Sequence, residues 1–137
     1  MLVRECAGGI VFYQDRVLLL KNEKGEWVLP KGKIRNNMLS ADVAKERVLV
    51  EAGVEASIVV PAGESSYEFY SITRKSPVFN KVTWYIMEAK SDAFRINEEL
   101  QYTDGGFFTI DDAMERITYS QDKGLVSYCL LYTSRCV

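Results

Sequence analysis

The feature that most restricts the fold of this chain is a single helical signature set among strand-like segments. Ala41, Ala44, Val48 and Ala52 recur at spacings of three and four, which gives residues 41–52 one apolar stripe. Ser40 reads as the N-cap, and Asp42 falls in the first turn, where the helix dipole favours negative charge. Gly53 supplies the left-handed residue that ends the helix. Elsewhere the pattern is that of short strands, over residues 6–13, 17–21, 27–29, 55–60, 67–73, 82–89 and 107–110. Gly8 and Gly9 inside the first strand mark a bulge or a close approach of another backbone. Residues 31–39 read as a polar, basic loop, and residues 74–77 as a basic hairpin loop. Thr109 and Asp112 form a capping pair for a helix to about Ile117, and Ser120 caps a last helix to about Tyr132. Strands interrupted by one helix and followed by others predict an α/β protein, a mixed sheet with helices on both faces.

Length and charge narrow the function classes. The chain has 137 residues, which suits a single domain over residues 1–137. A net charge of −2 argues against a general nucleic-acid partner, since such a protein needs a basic face to displace counterions from phosphates. No apolar run approaches the roughly 20 residues that span a bilayer, and no signal peptide is visible at the start. With Cys6, Cys129 and Cys136 outside any Cys-x-x-Cys pair, free thiols and a cytoplasmic location are expected. The chain has no histidine, which excludes His-based triads, His general bases and the usual zinc sites. A metal would then be hard and oxygen-bound, Mg²⁺ or Mn²⁺.

The stretch from Leu29-Pro30-Lys31-Gly32-Lys33 to Glu51-Ala52-Gly53-Val54 resembles the Nudix box. In that pattern a glycine is followed, after five residues, by glutamate. Seven residues on comes Arg-Glu, an aliphatic residue, any residue, Glu-Glu, any residue, glycine and an aliphatic residue. Gly32, Val48, Glu51, Gly53 and Val54 match without a gap. Ala7-Gly8-Gly9-Ile10-Val11 is similar to the family's first core strand, and Lys81-Val82-Thr83-Trp84-Tyr85 to a late strand of its diadenosine-polyphosphate-hydrolase-like branch. The resemblance implies the Nudix fold, an α/β/α sandwich with a mixed sheet. It also implies hydrolysis of a nucleoside diphosphate linked to another moiety, with metal held by a cluster of helix glutamates at i, i+3 and i+4.

That cluster is depleted here. Met38 replaces the first glutamate, the Arg-Glu pair is reversed to Glu46-Arg47, and the Glu-Glu pair is Val50-Glu51. One step along a helix turns a side chain by about 100°, so Glu46 does not stand in for the carboxylate lost at Arg47. Two functions follow. The first is a pyrophosphohydrolase of reduced or altered activity, with Glu51 and Glu46 as metal ligands and Glu51, Glu46, Glu98 and Glu99 as candidate catalytic carboxylates. The second is an inactive module that binds a nucleotide or a protein. Gly32, Lys33, Arg47 and Tyr85 are the candidate substrate contacts, Arg47 meeting phosphate directly or pairing with Glu51 four residues on. Val43, Arg47, Val50 and Val54 form a second stripe that fits a covered face or a homodimer contact. The expected partner is a nucleotide or another diphosphate-containing small molecule, with no nucleic acid and no membrane.

Overall fold

The computed structural model describes residues 2–135, with side chains to residue 130, so Cys136 lies outside the described residues. Seven strands form one sheet: β1 (Leu2–Tyr13), β2 (Arg16–Lys21), β3 (Trp27–Val28), β4 (Lys31–Lys33), β5 (Ala56–Ser71), β6 (Ser76–Ala89) and β7 (Asp104–Thr109). The order β3-β2-β1-β6-β5 is extended by β4 pairing with β1 and by β7 pairing with β2. β1 and β6 run parallel, and the remaining pairs are antiparallel. The helices are α1 (Ser40–Ala52), α2 (Ile110–Arg116) and α3 (Ser120–Arg135).

Strand alternation sorts the apolar residues onto the two faces of this sheet. On one face Cys6, Ile10, Val17, Leu19, Val82 and Trp84 pack under α2 and α3 through Ala113, Ile117, Val126 and Cys129. On the other, Ala7, Val11, Leu18, Leu20 and Met87 pack under Val43, Ala44, Val48 and Ala52 of α1. The expected mixed sheet between helical layers is therefore observed. Cys6 and Cys129 are free, buried thiols.

Two segments differ from the sequence reading. Within the expected loop 31–39, Lys31–Lys33 pairs with β1 as β4. Gly8 permits this, because a Cβ there would lie 2.6 Å from the Pro30 carbonyl oxygen and 2.8 Å from Lys31 Cβ. The two strands expected over 55–60 and 67–73 are one continuous strand of 16 residues, β5. Pro61 and Gly63 look like breaks, but they sit where the register against β6 shifts. β5 lies at the end of the strand order, where bulges and proline are tolerated.

The start of α1 is also built differently. Its N-cap is Leu39, without a side-chain cap, and the Ser40 hydroxyl bonds the Tyr85 hydroxyl on β6. Tyr85, expected to contact substrate, ties the sheet to the first turn of the helix. At the other end Gly53 has φ 65° and donates to the Leu49 carbonyl, as expected. Thr109 caps α2 by accepting from the Asp112 N–H.

Candidate functional site

α1 is unbroken from Ser40 to Ala52, so no bulge brings Glu46 towards Glu51. Five residues apart, the two project about 140° from one another around the axis. Glu46 is exposed, whereas Glu51 retains only 2% of its accessible surface. The expected ligand pair is thus split between solvent and interior.

Both oxygens of Glu51 are engaged. Arg47 Nε donates to Oε2 at 2.8 Å, and the Tyr102 hydroxyl donates to Oε1 at 2.6 Å. Burial pushes the Glu51 carboxyl above its ordinary range, against the opposing pull of Tyr102 and Arg47. The Tyr102 hydroxyl is driven strongly upward by its own burial and by the adjacent carboxylate. Gly32 belongs to the same cluster. A Cβ there would meet Arg47 Cδ at 2.5 Å, so the box glycine accommodates the arginine stem.

The other expected site residues lie outside this cluster. Glu98 and Glu99 are exposed in a 3-10 turn, Glu98–Leu100. That turn is anchored to the last turn of α1, where Asn97 Nδ2 donates to the Val50 carbonyl. Lys33 is exposed on β4. Among the described residues, no three Asp, Glu or Cys side chains are grouped so as to hold a metal ion. The resemblance of the motif implies a divalent metal, but with both Glu51 oxygens occupied the residues present do not fit one. The valine stripe is in part the covered face expected of it: Val43 and Val54 are buried within the chain, while Val50 stays 39% exposed. Its two ends belong to the core, because the Val43 and Val54 side chains pack onto the sheet.

A second region gathers residues from distant parts of the sequence. A cavity of about 730 Å³ opens beside β4, between the β5–β6 hairpin and the start of α3. Its wall includes Lys31, Tyr67, Trp84, Asn80, Tyr119 and Asp122, and Tyr102 reaches it from the Glu51 cluster. Lys31 Nζ stands 5.1 Å from the Tyr67 ring centre. The Tyr119 hydroxyl donates to Glu26 across 93 residues of sequence, which draws the α3 start onto the β2–β3 connection. That bond lowers the Glu26 carboxyl and pushes Tyr119 up to about 12. Asp122 is 7% exposed, and burial raises its carboxyl, only partly opposed by Lys31. These groups are spread over several elements, Tyr67 on β5, Asn80 and Trp84 on β6 and Asp122 on α3, and only the fold brings them to one wall.

No protein-family model matches the sequence. Solved structures do match. A Nudix hydrolase from Nitrosomonas europaea superposes with a TM-score of 0.73 at 18% identity, over 92% of this chain and 69% of that one. This is the Nudix fold. An Ap4A hydrolase from C. elegans gives a TM-score of 0.73 at 14% identity, over 96% of this chain and 98% of that one. An ADP-ribose pyrophosphatase from Streptococcus suis gives 0.71 at 18% identity, over 95% and 91%. Three differently described enzymes thus share one scaffold with this chain, and fold alone does not carry a substrate across such distances. No helix among the described residues is long and apolar enough to cross a membrane.

Proposed function

We propose that this Nudix-fold chain binds a nucleotide-like ligand, an aromatic ring carrying phosphate, and that phosphohydrolysis through its motif helix is weak or lost. One observation carries the second half: the motif carboxylate that remains, Glu51, is buried with one oxygen on Arg47 and the other on Tyr102. Arg47 supplies a fixed cation beside the residue that would otherwise meet a metal, and arginine stays charged at any working pH. The cavity supports the first half. It has the volume and mixed lining of small-molecule sites, with aromatic walls and a few polar groups. Lys24 and Lys31 on that wall provide charge for phosphate.

A second reading is a phosphohydrolase acting on a nucleoside diphosphate linked to another moiety. The shared fold with solved Nudix hydrolases favours it. The two readings separate in one assay. Dinucleoside polyphosphates and ADP-ribose are incubated with the protein and Mg²⁺, while ADP and GDP binding is titrated in EDTA. Binding without metal and hydrolysis close to background are expected. Robust turnover that disappears in Glu51→Gln establishes the hydrolase instead.

A further inference from the structure

We propose that two copies of this chain pair by exchanging ends, the β5–β6 hairpin tip of each filling a recess at the C-terminal end of the other's α1. The pairing is independent of any ligand in the cavity. The tip is the turn of residues 72–75, which joins the two longest strands. Ile72 there is 85% exposed, the highest value among the described large apolar side chains, and Tyr70 beside it is 63% exposed. Arg74 and Lys75 follow, and neither joins an ion pair among the described residues. Residues 69–79 contain no Asp or Glu, in a chain whose net charge is −2. The tip is thus an apolar point carrying two unopposed cations.

The recess has the complementary character. A cavity of about 680 Å³ lies between the last turn of α1 and residues 95–99. Leu49 and Val50 supply exposed apolar surface, and Val50 stands where the resembled motif carries a glutamate. Glu98 and Glu99 line the recess, and Glu46 stands exposed one turn before Val50, against the single cation Arg95. None of the three acids joins an ion pair among the described residues. Residues 95–97 are fixed to the helix end, since Arg95 N–H donates to the Ala52 carbonyl, Asn97 N–H to that of Glu51 and Asn97 Nδ2 to that of Val50. The recess is therefore formed before a partner arrives, which lowers the ordering cost of binding. An apolar centre with a charged surround of opposite sign on the two sides is the anatomy of a protein interface.

A chain does not fill its own recess. Gly53 lies three residues before β5 begins, whereas the tip follows the other end of that strand, and 16 residues of strand span about 50 Å. Two copies laid antiparallel bring each tip to the other's recess, and a two-fold axis closes the assembly at two.

The test is sedimentation equilibrium of the native chain, of the tip variant Ile72→Asp and of the recess variant Glu98→Lys with Glu99→Lys. The native chain is expected to dimerise below about 300 µM, the range of weak, small interfaces. Each variant should weaken dimerisation at least about tenfold, through an exposed side chain that the fold does not need. An equimolar mixture of the two variants should associate more tightly than either alone, because a mixed pair keeps one intact tip and recess. That recovery also shows that both variants are folded. A native chain that stays monomeric overturns the proposal, and so does association that either variant leaves unchanged. A mixture that pairs no better than its components overturns the exchange of ends.

Discussion

Two carboxylates on opposite faces of the sheet show how partners, more than burial, decide what an acid can do. Glu51 and Asp122 are 2% and 7% exposed, and burial raises both carboxyls. Glu51 has a hydrogen-bond donor on each oxygen. Asp122 has none among the described residues. The first is therefore a fixed strut between α1 and the segment leading into β7. The second keeps its acceptors available, at a cost to the fold. Nudix-type chemistry needs its free carboxylates on the helix, and here the availability lies across the sheet from it.

The largest expected effect comes from breaking the satisfied side. Arg47→Ala leaves Glu51 buried with Tyr102 as its partner. Removing one member of a fully buried ion pair costs about 3–5 kcal/mol, and with Arg47 at 25% exposure roughly 2–3 kcal/mol is expected. Chemical denaturation should show this loss, and Arg47→Ala combined with Glu51→Gln should recover part of it. No loss in the single variant means that Glu51 is not held as a strut.

Tyr102→Phe removes the other donor and should cost about 1.5–2 kcal/mol, the lower part of the range for a hydrogen bond to a charged group. It also sharpens the comparison, because it makes Glu51 resemble Asp122. The raised Glu51 carboxyl should rise further, which carbonyl infrared spectroscopy through a pH titration can follow. An unchanged titration would show that burial alone sets this acid.

The smallest effect has the opposite sign. Asp122→Asn should stabilise the fold by roughly 0.5–1 kcal/mol at neutral pH, as removal of an unfavourable functional group often does. The folded carboxyl is raised above the ordinary value of 3.8, so its ionised form disfavours the folded state once pH exceeds that value. The groups around it are Lys31, which opposes the shift, and Tyr119, which Asp122 itself pushes upward. The stabilisation should therefore fade as pH falls below about 4 and be complete above the folded pKa. Equal melting temperatures of the two proteins from pH 3 to 8 would mean that Asp122 carries no burial penalty.

By itself the sequence determined the helix of residues 41–52, its ending at Gly53, the segregation of apolar residues and the depletion of the helix carboxylates, while the N-cap fell one residue earlier than the sequence suggests, at Leu39. These are local facts, set by 3.6- and 2-residue periodicity, capping chemistry and residue identity. The pairing of Arg47 with Glu51 was also legible, because i and i+4 are neighbours on any helix. The tertiary structure decided what lies far apart in sequence. Tyr102 reaches Glu51 over 51 residues, Ser40 meets Tyr85 over 45, and Tyr119 meets Glu26 over 93. While Glu98 and Glu99 stand on the surface, those meetings tied Tyr85 to the first turn of the helix. They also enclosed Asp122, which in the sequence was one acid in the first turn of a helix. Burial is a property of everything packed around a side chain, and no local pattern records it.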